Sequence, residues 1–405
     1  MQKFTRRQFL KSSGIATVGI LGVDRVVRAR PARKLTLYVG TYTNGNSEGI
    51  YVYRMDQASG ELTRVSSIKS ENPSFLALDS SRRYLYAVNE VNDFGDKPVG
   101  AVSAFAINPT TGKLSFLNKR SSMGADPCYL TVDRKRRNVL VANYSGGNVA
   151  VLPVLRNGRL GHATELKQHQ GSSVKDRQQG PHAHCIVLDQ SNRHALAVDL
   201  GIDKVMIYRF DSTTGKLRPG KQLSASLQPG AGPRHVAFHP NGQYVYVIAE
   251  LDSTLTTFKY DEVRGTLLKL GTVSTLPVDF TGENFCADVH LSANGRFLYG
   301  SNRGHDSIVV FAIDRHTRLP QQVEHVSTEG KWPRNFTIDP TGRFLLVANQ
   351  RSDNVVTFRI DAKTGRLKHT GQVTEIPSPV CLKFAPRAHP LTLNQWMPSS
   401  VSSHF

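Results

Sequence analysis

The chain has 405 residues, with 51 Lys and Arg against 32 Asp and Glu and a formal net charge of +19. An apolar content of 39%, with no run of about eighteen consecutive apolar residues, offers no membrane-spanning helix. The 4 cysteines lack a CxxC spacing and point to neither a zinc site nor a redox pair. Positive residues scattered over turns such as Arg82-Arg83 and Lys135-Arg136-Arg137 build no recognisable nucleic-acid module.

The chain opens with Thr5-Arg6-Arg7-Gln8-Phe9-Leu10-Lys11, a weakly apolar segment over 15–27 and a small-residue exit near Ala29. This is the layout of a cleavable export signal. The paired arginines ahead of Phe9-Leu10-Lys11 resemble the twin-arginine motif. Residues 1–30 are therefore expected to engage the twin-arginine export machinery, which would place the protein in the periplasm or another extracytoplasmic space. They hold seven Lys or Arg and one Asp, so about thirteen of the +19 charges remain after their removal. A surface of that sign favours anionic partners.

From Leu35 onward one unit returns at intervals of roughly fifty residues, the mark of a propeller or another repeat array. Its plainest element is a turn: Ser59-Gly60-Glu61-Leu62, Thr111-Gly112-Lys113-Leu114, Asn157-Gly158-Arg159-Leu160, Thr214-Gly215-Lys216-Leu217, Arg264-Gly265-Thr266-Leu267 and Thr364-Gly365-Arg366-Leu367. The copy at Thr317-Arg318-Leu319 has lost its glycine. Two further elements keep the same phase. A short run that usually opens with Pro falls at 73–79, 127–133, 181–189, 233–239, 284–291, 333–339 and 379–384. An aromatic and β-branched run falls at 37–41, 84–90, 139–144, 195–199, 244–250, 297–303 and 344–350. Such runs between turn signals read as strands, and a third, as at 50–53 and 205–208, follows each.

Each unit is thus about four strands, and the whole predicts an all-β, seven-bladed β-propeller over 34–385. The repeat begins on the second strand of a unit and finishes on the first strand of one, so both chain ends are expected to close the last blade. Cys128, Cys185, Cys286 and Cys381 fall in or beside first strands and read as small buried hydrophobes, with a Cys128–Cys185 bridge left open. Residues 386–405 read as a disordered tail.

In an antiparallel blade the start of the first strand and the end of the second lie at the same end of the sheet. Across seven blades these positions form two rings around one mouth of the central channel. The first ring holds Ser74, Cys128-Tyr129, His182 and His184, Arg234-His235, Phe285, Arg334-Asn335 and Val380. The second holds Asn89-Glu90, Asn143-Tyr144, Asp199, Glu250, Asn302-Arg303, Asn349-Gln350 and Thr41-Tyr42. Strand-end Asn commonly satisfies turn backbone, the plainer reading of Asn89, Asn143, Asn302 and Asn349. That reading does not cover His182, His184, Arg234, Glu250, Arg303 and Arg334 on one rim. Buried charges are costly unless paired, and an anionic ligand would balance the surplus of arginine.

Gly180-Pro181-His182-Ala183-His184, Gly232-Pro233-Arg234-His235, Ile248-Ala249-Glu250, Ser301-Asn302-Arg303-Gly304-His305 and Trp332-Pro333-Arg334-Asn335-Phe336 resemble the motif series of the lactonase family of seven-bladed propellers. That family includes cycloisomerase-type 6-phosphogluconolactonases and fungal carboxy-muconate lactonising enzymes. Tyr38-Val39-Gly40-Thr41-Tyr42 and Gly49-Ile50-Tyr51 match as well, so the resemblance runs from about Leu35 to Ala385. It implies a catalytic set of His182, Arg234, Arg303 and Glu250, to which the rings add His184, Arg334, Asn302 and Asp199 as substrate-binding candidates. His182 and His184 share a strand face, so either imidazole could reach the mouth.

The expected reaction is hydrolysis of a small anionic lactone without metal or other cofactor. Glu250 or His182 would serve as base and acid, Arg303 would meet the oxyanion, and Arg234 with Arg334 would bind a phosphate or carboxylate. No serine sits in a nucleophile elbow, which disfavours acyl transfer. An export signal conflicts with a cytoplasmic phosphorylated substrate and keeps an unphosphorylated aldonolactone or uronolactone in play. The alternatives are a muconate-type cycloisomerase, a non-catalytic binding propeller, and a calcium-dependent lactonase. The last would need a cluster of Asp, Glu and Asn oxygens, and the arginines at this mouth repel a dication.

Overall fold

The structure, a computed structural model, describes residues 34–385. The export signal read over 1–30 and the tail read over 386–405 lie outside the described residues. The strands form seven four-stranded sheets. Their first strands are Leu76–Leu78, Pro127–Val132, Ala183–Leu188, Pro233–Phe238, Phe285–Leu291, Pro333–Ile338 and Pro379–Phe384, numbered here as blades 1 to 7. Each first strand touches the first strands of the blades on either side, and blade 7 touches blade 1, so the ring is closed.

Blade 7 runs Pro379–Phe384, Lys34–Thr41, Gly49–Asp56, Leu62–Lys69 from the channel outward. Its innermost strand comes from the C-terminal side and its other three from the N-terminal side. Tyr38 pairs with Lys383 and Val39 with Leu382, antiparallel. These hydrogen bonds join the two ends of the array, so opening the ring requires breaking a strand ladder.

Position in the blade explains composition. Second strands such as Asn138–Asn143 and Phe344–Asn349 are buried at every residue, because both faces meet a neighbouring blade, and they read as continuous apolar runs. Outer strands such as Leu367–Glu375 alternate partly buried and exposed residues. Adjacent blades pack apolar face to apolar face: Tyr38 and Ile50 of blade 7, Leu76 and Tyr86 of blade 1 and Leu130 of blade 2 share one core cluster.

The repeated Gly turn is an inter-blade fastening. Tyr38 donates to the Gly112 carbonyl of the next blade at 3.0 Å, Tyr86 to Gly158 at 3.1 Å and Tyr299 to Gly365 at 2.9 Å. Where the glycine is lost, Tyr246 makes the same bond to Arg318 at 3.1 Å, and Arg318 keeps the left-handed backbone, φ 63°. All four cysteines are buried and unbridged. Among the described residues no helix is long and apolar enough to cross a membrane.

Candidate active site

The first strands enter the channel through a β-bulge. In blade 4 Pro233 pairs with Ala249 and His235 with Ile248, which leaves Arg234 as the extra residue. The same shift isolates Cys128 in blade 2, His184 in blade 3, Arg334 in blade 6 and Val380 in blade 7. A bulge gives up ladder pairing and re-aims a side chain, and all five of these residues line the channel. At the ends of the second strands, Glu90, Tyr144, Glu250, Arg303 and Gln350 face the same space, and Arg177, Phe285, Trp332 and Arg351 complete the wall. Of these residues, Arg234 and Val380 line an adjoining recess, and the others enclose a cavity of about 310 Å³.

Glu250 is the electrostatic centre. Its Oε2 accepts from Arg234 Nε at 2.9 Å and from Arg303 Nη2 at 2.7 Å, and its Oε1 lies 2.8 Å from Arg177 Nη2. Burial pushes the carboxyl up, but Arg303, Arg234 and Arg177 together outweigh it and hold Glu250 at about 2. Burial lowers Arg303 to about 9 against the pull of Glu250, so it remains a cation at neutral pH. Arg303 also donates to the Phe285 and Cys286 carbonyls, which locks the plane of its guanidinium.

Beneath Arg234 lies a second polar layer. Arg234 Nη1 donates to the Ala287 carbonyl at 2.6 Å and stands 3.2 Å from His235 Nε2. Arginine only donates, so Nε2 accepts and the proton of His235 sits on Nδ1, 2.8 Å from Asp288 Oδ1. Asp288 also meets His290 Nε2 at 2.9 Å and accepts from Asn335 Nδ2. Burial, then the charge of Arg234, depresses His235 to about 4. Across the mouth, Arg334 Nη2 donates to the Tyr42 hydroxyl at 2.8 Å, Tyr42 donates to Glu90 Oε1 at 2.9 Å, and Ser74 donates to Glu90 Oε2.

The two histidines of blade 3 part company. Ala183 pairs with Asp199 as Pro233 pairs with Ala249, so His184 occupies the position of Arg234 and His182 precedes the strand. His184 is buried and lines the cavity. Burial, then Arg234, His235 and Arg334, depresses it well below the ordinary imidazole value. His182 is half-buried and stacks on Tyr144, ring centroids 4.5 Å apart. Its Nδ1 is 3.1 Å from the Tyr144 carbonyl, which can only accept, so Nδ1 carries a proton and donates.

Asp199 and Asn302 are engaged with the scaffold. Asp199 Oδ2 is 2.6 Å from His169 Nδ1, and its Oδ1 accepts from the backbone N–H groups of His182 and Gly201. Asn302 donates to the Thr275 carbonyl at 2.9 Å, as Asn143 does to Ser122 and Asn349 to Thr328. These Asn side chains clip the crossover from the preceding blade. Arg177 has no counterpart in the sequence reading. It sits in a short 3-10 turn, Asp176–Gln178, within the long crossover from blade 2 to blade 3, a segment outside the repeat phase.

The assembled site is a polar cavity with four arginines and two glutamates on its wall and an uncharged-imidazole position at one side. It suits an anion with a carbonyl-derived oxygen to be stabilised.

Comparison with known proteins agrees with this architecture over nearly all the described residues. Residues 36–384 match the family described as "Lactonase, 7-bladed beta-propeller". The chain is 39% identical to the 6-phosphogluconolactonase of Bacillus subtilis (strain 168) over 351 residues, 86% of this chain and 97% of that one. It is 33% identical to the 6-phosphogluconolactonase of Formosa agariphila, covering 75% of this chain and 86% of that one. The solved structure of the Pseudomonas aeruginosa periplasmic gluconolactonase superposes with a TM-score of 0.82 at 37% identity, covering 87% of this chain and 99% of that one. A closed ring of seven blades and a matching sequence along its length lead to one assignment: the chain belongs to the lactonase family of seven-bladed β-propellers.

Proposed function

We propose that this cavity hydrolyses a phosphorylated aldonolactone, 6-phosphogluconolactone, to the open acid. The observation that carries the reading is the convergence of Arg177, Arg234 and Arg303 on one ionised carboxylate beside a buried imidazole. Relatives described as 6-phosphogluconolactonases supply the substrate class.

Water adds to the lactone carbonyl, giving a tetrahedral oxyanion, and the ring oxygen then leaves and takes a proton. A neutral imidazole suits the first proton transfer. His184 lines the cavity, whereas His182 precedes the strand and stacks on Tyr144, which favours His184 as the group that takes the proton from water and returns it to the leaving oxygen. Arg303 and Arg234, fixed before substrate arrives, face the developing oxyanion, where a preorganised cation contributes most. Glu250, with both carboxylate oxygens engaged by guanidinium groups, is not free for that task. Its role is to gather three guanidinium groups that would otherwise repel one another. Arg334 is assigned to the anionic end of the substrate.

The twin-arginine reading of residues 1–30 and the relative described as a periplasmic gluconolactonase support an extracytoplasmic setting. There, unphosphorylated gluconolactone is the competing substrate. The deciding experiment measures turnover of both lactones by the purified protein, with Glu250→Gln and Arg234→Ala as controls. Hydrolysis of the phosphorylated lactone that both substitutions abolish supports the reading. Faster turnover of gluconolactone transfers the assignment to the unphosphorylated sugar, and no turnover of either defeats it.

A further inference from the structure

Five blades enter their first strand through a residue with left-handed backbone immediately before proline: Asn72 (φ 37°), Asp126 (52°), Gly232 (64°), Trp332 (65°) and Ser378 (40°). Gly, Asn and Asp tolerate that region, whereas a bulky aromatic there is an outlier. Proline restricts the preceding residue further. Trp332 therefore carries the largest backbone penalty of the set at a position where the repeat elsewhere uses small residues. Strain of this kind persists where the surroundings over-determine it, and it clusters at ligand sites.

The indole forms part of the cavity wall. The Arg351 guanidinium lies over it at 3.5 Å from the ring centroid, with Arg303 at 5.3 Å and the edge of Phe285 nearby at 6.0 Å between centroids. The arginines of the cavity differ in what they face. Arg177 and Arg303 pair with Glu250, and Arg334 is held by Tyr42. Arg351 lines the same space and makes no ion pair or side-chain hydrogen bond among the described residues. A guanidinium stacked by its face keeps its in-plane N–H donors available for a bidentate anion.

We propose that Arg351, held face-on by Trp332, joins Arg334 in recognising the anionic group that the ligand carries at the end away from the reacting carbonyl, a phosphate or a carboxylate. The reacting end is assigned to Arg234 and Arg303 on blades 4 and 5, and Arg351 stands on blade 6. The proposal rests on the lactonase reading of this cavity and deepens it: Trp332 and Arg351 select sugar acids and lactones that carry an anionic group at the end away from C1 over those that lack one.

The test reads binding without turnover. Calorimetric titration of the purified protein with 6-phosphogluconate, glucarate and gluconate separates a phosphate from a carboxylate and both from neither. Expected is binding of at least one doubly charged acid ~10-fold or more tighter than gluconate. Arg351→Gln should erase that preference and leave gluconate binding unchanged, and Trp332→Asn should erase the preference as well. Asn tolerates the left-handed backbone, so Trp332→Asn should keep the wild-type melting temperature, which separates recognition from folding. With 6-phosphogluconolactone, Arg351→Gln should raise KM about tenfold at unchanged kcat, the pattern of lost uniform binding. Equal binding of all three acids, no binding of any, either variant retaining the preference, or Arg351→Gln losing gluconate in step overturns the proposal. Absence of hydrolysis alongside an Arg351-dependent preference would instead strike the catalytic reading and leave this subsite standing.

Discussion

Arg234 and Glu250 meet across one bulge: Nε donates to Oε2 at 2.9 Å because the residue extruded from the first strand of blade 4 faces the first unpaired residue of the second. The contact is a consequence of register. Arg303 reaches the same oxygen from blade 5 and Arg177 reaches the other from a crossover, so one carboxylate fixes three cations from three parts of the chain.

Glu250→Gln should therefore destabilise the fold as well as abolish turnover. Arg234 and Arg303 are buried, and leaving buried charges unpaired costs about 3–5 kcal/mol. The folded carboxyl is depressed from 4.5 to about 2, so its contribution is complete above about 4.5 and is lost as pH falls towards 2. Denaturant unfolding of both proteins at stepped pH should show the stability gap closing across that window. A gap independent of pH there would mean that the carboxylate charge is not what stabilises the cluster.

Arg177→Gln should separate function from stability. Its side chain is 46% exposed, and ion pairs with so accessible a partner contribute little to folding. A fall in kcat/KM of about 10- to 100-fold with an unchanged melting temperature is expected, since removing one charge-assisted bond to Glu250 loosens the cluster. A melting temperature lowered as far as that of Glu250→Gln would assign Arg177 to the scaffold.

His184→Asn and His182→Asn should differ. Loss of a general base lowers kcat by about 10²- to 10⁴-fold, and this loss is expected at His184, which lines the cavity. His182→Asn should retain most activity, because that ring stacks on Tyr144 at the rim. Single-turnover rates showing the reverse order would return the base to His182.

His235 supplies a stability signature of its own. Its folded value is depressed from 6.5 to about 4, so the neutral ring stabilises the fold fully above about 6.5 and that contribution is lost as pH falls through 4. Wild-type stability should decline across this interval, and His235→Asn should flatten the decline. Chemical denaturation at half-unit pH steps checks it, and an undiminished slope in the variant would place the titration at another group.

Much of the architecture was legible because a propeller repeats. The Gly turns, the Pro-led strands and the apolar second strands share one phase, and that phase alone brings Arg234, Glu250, Arg303 and Arg334 to one mouth. The turn without glycine was legible too, though its rescue by a left-handed Arg318 was not. Aligning blades on proline placed His182 level with Arg234, whereas the pairing places His184 there, because Pro181 lies two residues before the position that Pro233 occupies in its own strand. Asn302 and Asp199 carry residue types found both in sites and in turns, and their hydrogen bonds go to scaffold groups. Arg177 belongs to a crossover that obeys no repeat, so periodicity carried no signal for it.

By itself the sequence determined the number of blades, the closure of the ring by both chain ends and the set of charged residues gathered at one rim. These follow from strand periodicity and turn chemistry, which act over a few residues and repeat. Tertiary structure alone decided which imidazole enters the cavity, which arginines Glu250 binds and which one Trp332 leaves unpaired. Those outcomes depend on bulge register, on a non-repeating crossover and on contacts between blades, where a shift of one residue turns a side chain from the wall to the channel.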